Sequence, residues 1–135
     1  MNLVTGATGH IGNVLVRELL HRGEPVRVFL LEGEDLGSIK DLDVEVAYGN
    51  VLDKDSLARA FVGVDVVFHL AGLISISAGQ EDLIHKVNVE GTRNVIEAAT
   101  TAGVKRFIYT SSIHAFKRIP YGNVVDETVP IDPQA

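Results

Sequence analysis

The sequence predicts an α/β fold, a doubly wound parallel sheet with helices on both faces. Three observations predict it. Segments of strand length alternate with segments whose apolar residues recur at helical spacing. The strand segments are nearly continuous apolar runs, the pattern of strands covered on both sides. Three glycines spaced three apart, Gly6, Gly9 and Gly12, mark the first strand-to-helix junction, inside the stretch LVTGATGHIGNVLV that begins at Leu3.

Each element follows in order. The run ending at Val4 stops at Gly6, and Ile11, Val14, Leu15 and Leu19 then recur as one helix face that closes on Gly23, suited to the left-handed conformation past a helix end. Pro25 precedes VRVFLL, a second strand, and a polar, glycine-dotted stretch with a short helix over Ser38 to Leu42 follows. VEVAYG is a third strand. DKDSLARAF is a short helix capped by Asp53 or Asp55, and VDVVFHLAG is a fourth strand. From Glu81 to Ala102 a long helix carries Ile84, Val87, Gly91, Val95, Ala98 and Ala102 on one stripe and ends at Gly103. KRFIYTSS is a fifth strand. Right-handed crossovers make this a three-layer Rossmann-type sheet of about five strands in the order 3-2-1-4-5. Residues 1–112 form the binding domain, and 113–135, with Pro120, Pro130 and Pro133, read as irregular loop.

Bulk properties narrow the function. A chain of 135 residues with 46% hydrophobic content fits one globular domain. Twelve basic against eighteen acidic residues give a net charge of −6 without a basic run, which argues against nucleic acid or an anionic membrane surface as partner. The most apolar stretch falls short of the roughly 18 to 20 residues that a membrane span needs. With no cysteine and no room for a signal peptide before the first strand, the expected setting is cytoplasmic.

The glycine turn has a physical purpose. A strand feeding a helix leaves the first amides of that helix unpaired, and these amides together with the helix dipole attract an anion such as a pyrophosphate. Gly6 permits the tight turn, Gly9 has no side chain to hold phosphates away, and Gly12 lets the helix settle against the sheet. Thr5 and Thr8 are expected to add hydroxyl donors.

TGATGHIG, from Thr5 to Gly12, resembles the TGxxGxxG fingerprint of the extended short-chain dehydrogenases/reductases, nearest to the 3β-hydroxysteroid dehydrogenases and dihydroflavonol 4-reductase-like members. GNVLD from Gly49, HLAG from His69, VNVEGTRNVIEAA from Val87 and RFIYTSS from Arg106 match further family stretches in the family's order. The resemblance implies roles. The backbone of Thr8, Gly9, His10 and Ile11 would hold the pyrophosphate. Asn50, with Val51 beside it, stands where the family has an acid facing the adenine amino group, and its amide oxygen would accept that bond. Asp53 matches a later family aspartate, with a helix cap as the alternative. Leu70, Ala71 and Gly72 would pass beside the riboses, and Asn88 matches the family's asparagine, with a bond to its own backbone or a water as the alternative. Thr110 and Ser111 lead to Ser112, which matches the serine that holds the substrate oxygen.

Cofactor choice turns on the end of the second strand. Where relatives carry an arginine suited to a 2′-phosphate this chain has Leu31, and Glu32 adds negative charge, so NAD is expected and NADP is the second candidate. The family's catalytic pair is a tyrosine with a lysine four residues later. Four residues beyond Tyr48, Tyr109 and Tyr121 stand Leu52, Ile113 and Val125, so the sequence holds no YxxxK. VVDETVPIDPQA resembles the stretch that lies shortly before that pair in the family, and the chain is therefore read as the N-terminal portion of a longer oxidoreductase. Alone it would bind the dinucleotide and not turn over. The small-molecule substrate, a ketone or alcohol on an apolar or phenolic skeleton, belongs to the longer protein. A nucleotide-sugar epimerase or dehydratase portion and a non-catalytic NAD(P) sensor are the alternatives. The open edge of the fifth strand makes a homo-oligomer an expectation as well.

Other chemistries lack their patterns. Of the five histidines, His10, His21, His69, His85 and His114, no two stand four apart, so no metal site is expected. His114 alone falls near the expected chemistry, where a loop histidine in solvent is its other reading. Ser77 lacks the flanks of a nucleophile elbow, and no glycine precedes a lysine as a phosphate-binding P-loop requires.

Overall fold

The computed structural model describes residues 1–74, 79–117 and 120–132. Ser77 of the hydrolase argument lies outside them, as do Pro133 and the last two residues. Five parallel strands form one sheet in the order β3-β2-β1-β4-β5: β1 (Asn2–Thr5), β2 (Val26–Leu30), β3 (Glu45–Tyr48), β4 (Val66–His69) and β5 (Arg106–Tyr109). The register sets Thr5 opposite Phe29 on one side and His69 on the other. All strands end on the same rim.

Successive side chains leave a strand on opposite faces, which divides the core in two. Leu3, Phe29 and Val67 face one way, into a cluster with Leu57, Phe61, Val95 and Ala99. Val4, Val28 and Leu30 face the other, against Val16, Leu19 and Ile39. Each such side chain stabilises the fold by roughly 1.5–3 kcal/mol on removal from water.

The helix faces depart in part from the apolar spacing of the sequence. Of the face expected for the first helix, Ile11 and Val14 are exposed, because the close seating of Gly12 on Gly6 turns Val16 and Leu19 to the sheet. α1 (His10–His21) buries Gly12, Val16 and Leu19. It ends at Gly23, whose φ of 74° is left-handed, and Glu24 N–H returns to Leu19 O at 3.0 Å, satisfying a terminal carbonyl. α2 (Lys54–Ala60) starts at Asp53, whose carboxylate accepts from Asp55 N–H at 3.0 Å. Asp53 is therefore the cap.

Three stretches differ from the sequence expectation. The short helix expected over Ser38 to Leu42 is a single 3₁₀ turn, Gly37–Ile39, that buries Ile39. The long helix is interrupted: α3 (Glu81–His85) and α4 (Thr92–Thr101) are joined by a π turn, Lys86–Gly91. That extra residue shifts the stripe, so Ala99 is buried and Ala102 is exposed. Two contacts fall within this turn. Gly91 presses on Val51, where a Cβ would lie 2.6 Å from a valine methyl, and the Asn88 side chain bonds outside its own helix. In the tail, Phe116 bridges Ile131 in antiparallel sense, and Asp132 N–H donates to Ala115 O at 2.7 Å, so this loop folds back on itself. No helix among the described residues is long and apolar enough to cross a membrane.

Candidate dinucleotide site

The rim formed by the strand ends holds the glycine turn. Gly6 has a φ of 68°, and a Cβ there would lie 2.8 Å from the backbone of Leu70 and Ala71. A Cβ on Gly12 would overlap the carbonyl oxygen of Gly6. These two glycines are required by the protein's own packing. Gly9 is different. It is exposed, its backbone is extended (φ −68°, ψ 172°), and a Cβ would have only Gly6 O, at 3.2 Å, within contact. The protein's own packing demands a glycine here less than at Gly6 or Gly12, and the exposed side of Gly9 is open to a ligand.

The start of the helix is suited to an anion. Asn13 N–H makes the first i−4 bond of α1, to Gly9 O at 3.0 Å, so the amides of His10, Ile11 and Gly12 precede the helical ladder. No side chain caps them, and the first turn carries no acid. With the dipole behind them, these amides fit a diphosphate.

Thr5 ties this turn to the loop after β4. Its hydroxyl oxygen accepts from Leu70 N–H at 3.2 Å and Ala71 N–H at 3.1 Å and stands 2.7 Å from His69 Nδ1. Both lone pairs being used, the hydroxyl proton goes to Nδ1, and His69 holds its own proton on Nε2, 2.9 Å from Thr92 Oγ1. Burial pushes the imidazole pKa down to about 4. Thr5 is fully buried, so it is a structural link and not the phosphate donor expected from the sequence.

Thr8 is corrected as well. Its hydroxyl donates to Glu34 Oε1 at 2.5 Å, while Glu34 Oε2 accepts from Leu31 N–H at 3.0 Å. Glu34 therefore spans the glycine turn and the end of β2, where the ribose of a dinucleotide passes. The sequence reading chose Glu32, which is exposed and has no hydrogen-bond partner among the described residues. Strand alternation stops at Leu30, so which acid of the following turn faces inward depends on how that turn folds.

The other expected residues divide. Leu31 is half-exposed at the rim, and Asn50 is exposed with its Oδ1 accepting from Leu52 N–H at 2.9 Å. Val51 is a core side chain, 9% exposed, with its carbonyl taken by Asn94 Nδ2 at 3.0 Å, and so offers no side chain to a ligand. Leu70 and Ala71 line the crevice beside Gly6. Asn88 Oδ1 accepts from Leu73 N–H at 2.8 Å and its Nδ2 donates to Leu73 O at 2.9 Å. It clamps the loop that carries Gly72, in place of the bond to its own helix. Thr110, Ser111 and Ser112 are exposed just past β5, with Thr110 N–H donating to His69 O at 3.2 Å and Ser112 O accepting from Ala115 N–H at 3.0 Å.

Surface clefts lie elsewhere: one of about 350 Å³ opens between α2 and α4, and one of about 540 Å³ at the opposite strand ends, beside Pro25 and Val44. The dinucleotide rim is an open shelf. Amides at a helix start can hold an anion without an enclosing cavity. Among the described residues no three histidine or acidic side chains converge to hold a metal.

The family model described as the 3-beta hydroxysteroid dehydrogenase/isomerase family matches residues 3–133. The chain belongs to that family. It is 45% identical over 120 residues to the sterol demethylase protein B of Methylococcus capsulatus, covering 89% of this chain and 37% of that protein. It is 38% identical over 116 residues to the 3-beta-hydroxysteroid dehydrogenase of Mycolicibacterium neoaurum, covering 82% and 31%. A short-chain dehydrogenase/reductase superfamily protein from Agrobacterium tumefaciens, solved with bound NAD, matches with a TM-score of 0.84 and 36% identity, over 100% of this chain and 40% of that one. This member of the 3-beta hydroxysteroid dehydrogenase/isomerase family thus spans well under half the length of the relatives it matches.

Proposed function

We propose that these residues are the NAD-binding portion of an oxidoreductase that moves hydride between a nicotinamide cofactor and a ketone or alcohol. Residues 1–112 form the cofactor unit and 113–135 lead from it. The observation that carries the reading is the uncapped start of α1 above Gly9, wired through Thr5 to the loop after β4. The amides of His10 and Ile11 bind the diphosphate. Glu34 faces the adenosine ribose: its carboxylate accepts from a free 2′-hydroxyl and repels a 2′-phosphate, which favours NAD over NADP. Leu70, Ala71 and Gly72 run beneath the nicotinamide half, held in place by Thr5 and Asn88.

When bound, the nicotinamide supplies or takes up hydride. Ser112 is the residue here suited to hold a substrate oxygen. Proton transfer to that oxygen calls for a tuned acid, and this sequence has no tyrosine followed by a lysine four residues on. We therefore assign cofactor binding, and no turnover, to the chain alone. Titration with NADH, followed by nicotinamide fluorescence, tests the site: binding is saturable, and Gly9→Val abolishes it without unfolding the chain. Unchanged affinity in that variant overturns the assignment.

A further inference from the structure

The hydrogen bonds at Thr5 do not end at His69. Leu70 N–H and Ala71 N–H can only donate, and both meet Thr5 Oγ1, at 3.2 and 3.1 Å, so its two lone pairs are used. The hydroxyl proton then goes to His69 Nδ1, 2.7 Å away, and a neutral ring that accepts at Nδ1 carries its own proton at Nε2. That proton is shut in. His69 is 1% exposed, with the rings of Phe107 and Tyr109 at 6.1 and 5.9 Å from it, centre to centre. Among the described residues its acceptor is Thr92 Oγ1, at 2.9 Å. A buried N–H stripped of that partner bears the full cost of its lost hydration.

Thr92 is the first residue of α4, directly after the π turn. Asn88, inside that turn, holds Leu73 at the other end of the same loop. One stretch of helix therefore grips loop 70–73 at both ends, Asn88 directly and Thr92 through two side chains. On the dinucleotide-binding reading above, on which this inference rests, that loop runs beneath the nicotinamide half.

We propose that Thr92 is a positioning residue for the cofactor: it accepts the proton left on His69 and so keeps the ring where Thr5 can hold Leu70 and Ala71. Its effect passes wholly through His69 and Thr5. Without the Thr92 oxygen the Nε2 proton is buried and unpaired, the ring turns away to find water, and Thr5 loses the acceptor for its hydroxyl proton. The two loop amides lose a fixed partner with it. The amides of His10 and Ile11 lie outside this chain of bonds, so the diphosphate keeps its seat.

The test compares the chain with Thr92→Val, which keeps the side-chain shape and removes the oxygen, and with Thr92→Ser, which keeps the oxygen. NMR of isotope-labelled histidine reads the ring: the wild type and Thr92→Ser show a slowly exchanging proton on His69 Nε2, and Thr92→Val loses it. NADH affinity, followed by nicotinamide fluorescence, falls about fivefold in Thr92→Val, the scale of one hydrogen bond, while ADP affinity holds. Thr92→Ser restores NADH binding. A His69 proton on Nδ1 in the wild-type chain overturns the proposal without any variant. So does an NADH affinity that Thr92→Val leaves within about twofold, small against the effect of one bond, and so does an equal loss of NADH and ADP affinity, which is general unfolding. Failure of the wild-type chain to bind NADH is a different result: it removes the cofactor site, and this inference with it, while the ring proton still reports whether His69 and Thr92 are bonded.

Discussion

Thr5 Oγ1 and His69 Nδ1 are 2.7 Å apart in the sheet interior, on neighbouring strands 64 residues apart in sequence. This bond fixes a neutral imidazole between two hydroxyls, since Thr92 takes the proton on Nε2. It joins the base of the glycine turn to the helix that follows the π turn.

Stability therefore depends on pH in a defined window. The folded pKa of His69 is about 4 against an ordinary 6.5, so below 6.5 the unfolded chain binds a proton that the folded chain refuses. Stability falls as pH drops from 6.5 toward 4, by roughly 3 kcal/mol at the lower end. NMR titration of the His69 ring checks it directly. No inflection is expected between pH 7.5 and 5, and one near 6 would show a solvated imidazole. The Asp65 carboxylate, lowered to about 2 by Lys105 and the chain's amino terminus, contributes stability that is lost only at more acid pH, from 3.8 down through about 2.

The three glycines are expected to separate in experiment. Gly12→Ala drives a methyl into Gly6 O and costs about 1–3 kcal/mol or more. Gly9→Ala, at an exposed, extended backbone where the new methyl meets Gly6 O at 3.2 Å and nothing else, changes stability by less than about 1 kcal/mol and weakens NADH binding instead. Urea denaturation alongside NADH titration distinguishes the two. Equal stability losses at both positions would contradict the division between packing and ligand.

On the proposed reading, Glu34 sets the choice between NAD and NADP. Glu34→Gln keeps an acceptor for Leu31 N–H but removes the charge, so the ratio of NADPH to NADH dissociation constants is expected to fall about tenfold, the loss of one charge repulsion. Glu32→Gln serves as the control and leaves that ratio unchanged. A larger response at Glu32 would restore the expectation from sequence.

Asn88 is a positioning residue. Asn88→Ala removes two hydrogen bonds to Leu73 and is expected to cost about 1–3 kcal/mol. Amide exchange at Leu73 accelerates in the variant, and NADH affinity falls while ADP affinity holds, because the loop lies under the nicotinamide half. Parallel loss of both affinities would mean general unfolding.

Much of this was legible along the chain because it is local. The glycine spacing, Gly23 after α1 and Asp53 before α2 announce their backbone conformations within a few residues. Apolar runs in VRVFLL and VDVVFHLAG mark strands buried on both faces. The π turn was not legible, since the close packing of Gly91 against Val51 inside it joins residues forty apart in the chain. That same packing turns the Val51 side chain into the core.

The sequence by itself determined a parallel α/β sheet in the order 3-2-1-4-5 and a glycine turn at the end of its first strand. Those properties follow from hydrophobic period and backbone freedom, both short-range. Only the tertiary structure decided that Glu34 and not Glu32 meets Thr8, that Thr5 serves His69, and that Asn88 holds Leu73. Each pairing joins segments brought together by strand order, and a hydrogen bond a few tenths of an ångström beyond its range is lost, so no pattern along the chain announces it.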